Sequence, residues 1–321
     1  MNDTIDELRA EADAFNKRIV ERKTAGFIPD LRRAVRCEYF YKSMWRDPLF
    51  VDLYAGHTIR TMLAMLRRHV HPGARILDFG CGGGHYSLEL ARAGYNVVGL
   101  DIAEKAIATA RETLASNPFK EGFGSLEYQI GLLQDVKGEF DAIFVVGVLH
   151  HLEDVPDALR QIRGLLRKDG MLVALECCHE RWTAADAAQV ALIRGLLGLT
   201  GHWYDNEEIR DGTQDQKGLS SWIHDVQAEY FNERDKNEPD GQSPNDNSAN
   251  GVTVLNAVAE HFDILENVPG AAYTYRLLGG LRGSDKQVKQ LAEFLALYER
   301  EGVAQGHIQP NQFIITARKR D

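Results

Sequence analysis

Between residues 73 and 180, short branched-aliphatic runs alternate with stretches that are apolar on one helical face only. That order predicts β-α units around a parallel sheet. Strands are expected at Arg75–Asp78, Asn96–Asp101, Leu126–Ile130, Phe140–Val146 and Met171–Cys177, with helices at His85–Ala93, Ala103–Ala115 and Val155–Leu166. Pro156 and Gly170 supply start and stop signals for the last of these helices. Upstream, Ile5, Leu8, Ala12, Phe15, Ile19 and Val20 recur at helical spacing, Pro29 interrupts, and Leu49–Val70 resumes the period until Gly73. Downstream, helical patterns occupy Ala184–Leu199, Gly218–Phe231, Val252–His261 and Ser284–Arg300, and Phe262–Val268 and Gln312–Ala317 have the pattern of strands. Residues 232–251 carry almost no apolar side chain and contain Pro239, Gly241 and Pro244, so a mobile loop is expected there. The chain thus divides into a helical cap (1–72), a core (73–180), a helical lid or substrate lobe (181–261) and a C-terminal part (262–321) that completes the core sheet.

The first strand runs into Asp78-Phe79-Gly80-Cys81-Gly82-Gly83-Gly84-His85, and the second ends in Gly99-Leu100-Asp101. Glycines between a strand and a helix let main-chain N–H groups approach a ligand, and an acid beyond the second strand can accept two ribose hydroxyls. A dinucleotide fingerprint beginning at Gly80 requires a third glycine where this chain has His85. The spacing that fits is D-x-G-x-G-x-G, from Asp78 to Gly84. It sets a carboxylate at the mouth of the loop, where a pyrophosphate is repelled and a cationic ligand is attracted.

These residues, with Phe140-Asp141-Ala142-Ile143-Phe144-Val145-Val146 and the following His150-His151, resemble the class I (Rossmann-like) S-adenosylmethionine-dependent methyltransferases over roughly residues 72 to 178. The resemblance implies an α/β fold: a seven-stranded sheet whose last strand runs antiparallel between the fifth and sixth. It also implies S-adenosylmethionine as cofactor. The cofactor contacts expected from it are Asp78, Gly80, Cys81, Gly82 and Gly84 on the loop, Asp101 and Ile102 after strand two, and Val146 and Gly147 after strand four. The family's acid after strand three, which bonds the adenine amino group, aligns with a leucine in Gly131-Leu132-Leu133-Gln134-Asp135; Leu132 and Leu133 main chain, or Asp135, would replace it.

Composition narrows the acceptor. With 37 Lys and Arg against 47 Asp and Glu, the formal charge is −10, which disfavours nucleic acid and anionic membranes. The Asp/Asn-Pro-Pro-aromatic signature of nucleobase amino-methylation is absent after strand four. No apolar run approaches the ~18 residues of a membrane span, and the acidic beginning is unlike a signal peptide, so a cytoplasmic protein is expected. Cys37, Cys81, Cys177 and Cys178 form no C-x-x-C pair and are expected to be reduced and buried.

The reading is therefore a methyltransferase that acts on an oxygen of a small metabolite or sugar-type acceptor. A nitrogen acceptor, or a cofactor-binding regulatory subunit without catalysis, remains the alternative; oligomeric state is open. His150 and His151 are the candidate catalytic bases, since an imidazole near neutral pKa can deprotonate a hydroxyl as the methyl group moves. His179, Trp203, Tyr204, Trp222 and His224 are expected to line or close the acceptor pocket; the aromatics of the N-terminal segment are expected to pack the cap onto the core, with one of Tyr39, Tyr41 or Tyr54 reaching over the cofactor as the alternative. Glu176, His179 and Glu180 share the end of strand five with the histidine pair, but no metal-ligand spacing is distinctive, and no metal is expected.

Overall fold

Runs that are apolar on both sides of the strand become the centre of the sheet, because only a strand covered on both faces can bury them all. β1 (Arg75–Phe79), β2 (Asn96–Asp101), β3 (Ser125–Ile130), β4 (Phe140–Val146) and β5 (Leu166–Cys177) are parallel. β7 (Gln312–Lys319) runs antiparallel between β5 and β6 (Phe262–Pro269), giving the order β3-β2-β1-β4-β5-β7-β6. This seven-stranded arrangement is the one expected. The computed structural model describes residues 2–37, 43–205, 209, 213–232, 243–246 and 248–320. Among them, no helix is long and apolar enough to cross a membrane. Tyr39 and Tyr41 lie outside the described residues.

Helices cover both faces. On one, α3 (His57–Leu66) and α4 (His85–Arg92) bury Met62, Leu66 and Leu90 against Ile76, Phe144 and Ile314. On the other, α6 (Val155–Leu165) and α9 (Gly251–His261) bury Leu159, Ile162 and Val258 against Leu77, Ile143 and Leu172. α5 (Glu104–Ala115) packs beside β2 and β3. The third core helix ends at Leu165, and β5 starts at Leu166 rather than at Met171, with an irregular register between Phe140 and Ala142.

The N-terminal cap is pinned to this core. α1 (Asn2–Thr24) lies on α5, where Asn16 Oδ1 accepts the Lys105 N–H at 2.8 Å. Behind it, Asp30 forms a fully buried, bidentate pair with Arg92 of α4 at 2.7 and 2.8 Å, and Glu89 and Asn117 take further guanidinium protons. A buried pair gains little over apolar packing, but removing one partner strands the other charge. α2 (Pro48–Val51) passes through a π-helical turn (Asp52–Gly56) into α3.

The lobe after β5 has a separate core. α7 (Ala184–Leu199), α8 (Gln216–Asn232), α10 (Thr274–Leu277) and α11 (Asp285–Ala304) enclose Trp182, Val190, Trp203, Trp222, Tyr273 and Leu295, and Phe50 enters from the cap. Arg194, also buried there, holds Glu229 at 2.8 and 2.9 Å.

Candidate active site

β1 opens into the loop Gly80–Gly84, and the N–H groups of Gly80 and Cys81 fasten it to the end of β2 by donating to Leu100 O at 2.8 and 3.0 Å. Gly84 begins α4 in the left-handed region (φ +79°), and a Cβ there would overlap the Tyr128 hydroxyl beneath the loop. Gly82 is also left-handed (φ +52°), but no atom lies within 4 Å of where its Cβ would stand. One glycine thus seats the loop on the protein, and the other leaves main chain open to a ligand.

Two acids face this loop. Asp101 accepts the Gly82 N–H on Oδ2 at 2.7 Å and the Ala103 N–H on Oδ1 at 2.8 Å. It therefore orients the loop and fixes the main chain of Ala103 just ahead of α5, while each oxygen can accept a further bond from a ribose hydroxyl. Burial raises its pKa above the ordinary carboxylate value despite these bonds. Asp78 stands at the base of the loop rather than at an open mouth. It is 2% exposed, takes the Ser87 hydroxyl, and is pushed up to about 7, first by burial and then by Asp101.

The site suits a cationic adenosyl ligand: two carboxyls, one of which raises the other's pKa, lie beside open main chain. Ile102 continues from Asp101, and Val146 and Gly147 end β4 in the neighbouring strand, Gly147 donating to Leu175 O at 2.9 Å. Cys81 points the other way, into a small core with Ile107, Ala110 and Tyr128, so only its main chain faces the loop. After β3, the Leu133 side chain joins the core and Asp135 Oδ2 accepts the Leu132 N–H at 3.0 Å. His85, which breaks the dinucleotide pattern, is held edge-on to Trp45 with ring centroids 5.1 Å apart. Its pKa falls to about 4, through burial and then Arg22.

The surroundings of the histidine pair are assembled from distant segments. His150 and His151 lie in a 3-10 turn (Leu149–His151) after β4 and are 4% and 8% exposed. Glu176 at the end of β5, fully buried, takes the Val148 and Leu149 N–H groups on Oε1 and meets His150 Nδ1 with Oε2 at 2.7 Å. His151 Nδ1 is 3.1 Å from Glu11 Oε1 of α1. Glu11 also accepts the Ser243 hydroxyl at 2.6 Å and the Asn245 N–H at 3.0 Å. Burial pushes Glu11 up, but its bonds from His151 and Ser243 hold it below the ordinary value. His150, His151 and Asp246 bring one ligand-type atom each to within 4.8 Å of one another.

Several sequence expectations change here. The described part of the loop read as mobile is docked: Ser243 and Ala249 are buried, Ala249 N–H bonds His150 O, and Glu180 accepts the Gly251 and Val252 N–H groups. Most of residues 232–242 lies outside the described residues. Glu176 is fully buried, and both of its oxygens are committed. Trp203 and Trp222 belong to the lobe core, where aromatic area stabilises packing, and His224 is on the outer surface of α8. Tyr204 is tilted against Trp203 under Arg282, and His179 is buried in the turn after β5. Tyr54 exchanges hydrogen bonds with Gln312 at the start of β7. A cavity of about 430 Å³ lined by Leu53, Met65, Val268, Val303 and Ile314 lies at the β7–β6 side, three strands from the glycine loop.

Comparison with known proteins agrees with this geometry. A family described as a methyltransferase domain matches residues 77–174. A ubiquinone biosynthesis O-methyltransferase from Caulobacter is 35% identical over 101 residues, 32% of this chain and 40% of that one. An uncharacterised protein from Haemophilus influenzae is 32% identical over 166 residues, covering 48% of this chain and 63% of its own. The chain therefore matches less than two thirds of the length of these curated relatives. Among solved structures, magnesium protoporphyrin IX methyltransferase from Synechocystis, with bound S-adenosylhomocysteine, aligns with TM-score 0.51 at 14% identity over 98% of this chain and 100% of that one. The [4+2]-cyclase SpnF aligns with TM-score 0.52, also at 14% identity, over 98% and 96%. These two likenesses are of fold alone.

Over residues 77–174 the chain matches a methyltransferase domain, and the sheet order and glycine loop agree with that match.

Proposed function

We propose that this chain moves the methyl group of S-adenosylmethionine to an oxygen of a small hydroxylated or sugar-type acceptor. The observation that carries the reading is Asp101 at the open main chain of Gly82, with Asp78 buried at the base of the same loop; carboxyls so placed favour a sulfonium and ammonium over a phosphate. S-adenosylmethionine, when bound, supplies a methyl group on a positively charged sulfur, with a neutral thioether as leaving group. Asp101 would hold the ribose hydroxyls, Gly80, Gly82 and Gly84 the main-chain side of the ligand, and Asp78 the ammonium region.

For an in-line displacement the protein contributes mainly position and water exclusion. The cap suits that task, since Pro29 and Ile19 close over Gly83 at the loop. His150 and His151 are where the acceptor hydroxyl would meet the protein and lose its proton as the carbon–oxygen bond forms. Their two carboxyl partners keep both rings oriented. The O-methyltransferase names of the curated relatives support an oxygen acceptor, and the net charge of −10 supports one that is not a nucleic acid. The same charge and the absence of a spanning helix among the described residues are compatible with a cytoplasmic enzyme.

The test is formation of S-adenosylhomocysteine with panels of phenols, sugars and amines. Turnover confined to hydroxylated acceptors is expected. Turnover with amines alone would move the reading to N-methylation, and cofactor binding without turnover on any panel would contradict catalysis.

A further inference from the structure

We propose that His150, His151 and Asp246 bind one divalent transition-metal cation at the acceptor end of the cleft, where it would hold the acceptor oxygen. The proposal rests on the methyl-transfer reading for the role of the ion, though not for its binding.

The first support is distance. The three donor atoms lie within 4.8 Å of one another, and His150 Nε2 is 4.0 Å from Asp246 Oδ1. Donors bound at about 2.0–2.2 Å to one ion sit roughly 3 to 4 Å apart, so the segment bearing Asp246 has to close by about 1 Å or less.

The second support is what stands behind the imidazoles. Metal-binding histidines commonly place a carboxyl group on the ring nitrogen turned away from the metal, which fixes the ring and strengthens it as a ligand. Both rings here have one: Glu176 is 2.7 Å from His150 Nδ1, and Glu11 is 3.1 Å from His151 Nδ1. Neither acid has a Lys or Arg partner among the described residues. Three carboxyl groups, those of Glu11, Glu176 and Asp246, are thus buried around two imidazoles. The buried Glu11 and Glu176 carboxyls favour positive charge on the imidazoles they face, which a bound cation would supply.

The donor set selects the ion. Two nitrogens and one carboxylate with further positions open suit Zn²⁺, Mn²⁺ or Fe²⁺, whereas Mg²⁺ and Ca²⁺ favour oxygen throughout. An ion there would orient a hydroxyl of the acceptor and lower its proton affinity, which is the contribution the histidine pair would otherwise make alone.

The full chain, stripped with chelator, is titrated with ZnCl₂ and with MnCl₂ by calorimetry, with and without S-adenosylmethionine; Co²⁺ loading is followed by its visible absorption. One ion per chain is expected. Asp246→Ala and His151→Gln should each weaken it by at least ~10-fold while leaving S-adenosylmethionine affinity and the circular dichroism spectrum unchanged. Binding of S-adenosylmethionine with no uptake of either ion overturns this inference and leaves the methyl-transfer reading standing. Ion binding that neither variant weakens overturns it too. Ion binding lost in both variants, in a chain that binds no S-adenosylmethionine, upholds the metal site and contradicts the proposed function.

Discussion

The glycine loop and the histidine pair are built in opposite ways. The cofactor end comes from one continuous stretch: loop, second acid and the main chain ahead of α5 all fall between Asp78 and Ala103, and their bonds close locally. The histidine cluster draws Glu11 from α1, the histidines from the turn after β4, Glu176 from β5 and Ser243–Asp246 from the far insertion. A local device keeps its geometry when distant elements move. A device stitched from four segments forms only when the cap and the insertion dock.

If that contrast holds, disrupting the cofactor end should act directly on binding. Asp101→Ala removes the acceptor for the ribose and the tie to Gly82, and S-adenosylmethionine affinity should fall by ~100-fold or more in calorimetry. A loss below about threefold would mean the acid does not hold the ligand. The lobe and the cap should instead show in stability. Trp203→Ala should cost about 3–5 kcal/mol, because its ring fills the lobe core. Asp30→Ala leaves Arg92 buried with Glu89 as its remaining carboxylate partner, and urea unfolding should record a loss of about 1–3 kcal/mol. His224→Ala should change stability by less than about 0.5 kcal/mol and leave acceptor KM unaltered, since its side chain faces outward.

Asp78 gives a signature in pH. In the unfolded chain its carboxyl titrates near the ordinary value, and in the folded chain at about 7. Below about pH 4 both states are protonated, and the group leaves stability unchanged. Between there and about 7 only the folded chain retains the proton, so stability falls as pH rises through that window. A cationic ligand favours the ionised form, so affinity should rise by up to ~10-fold per unit as pH approaches 7, then level off. Asp78→Asn should flatten both curves; an unchanged slope in the variant would assign the titration to another group.

What could be read from the chain follows the same division. Strand order and the glycine loop were legible because they depend on patterns a few residues long, and the structure departs from them only at element ends such as Leu165–Leu166. Trp203 and Trp222 looked like pocket residues because an aromatic cluster has one composition whether it lines a cavity or fills a core; only the fold shows Trp203 against Gly280 and beneath Arg194. Residues 243–246 looked mobile because their anchoring is polar, through Ser243 and the Asn245 main chain to Glu11, and hydropathy is silent about such contacts. Glu11 itself had no local signal. It sits on an ordinary amphipathic helix more than 130 residues before the histidine it meets.

The central claim is that paired carboxyls beside open glycine main chain select a cationic adenosyl donor. Calorimetric titration of the intact chain with S-adenosylmethionine, S-adenosylhomocysteine and NAD in parallel addresses it most directly. The account predicts saturable binding of the first two and none of NAD; tight binding of NAD with none of the adenosyl sulfur compounds would contradict it.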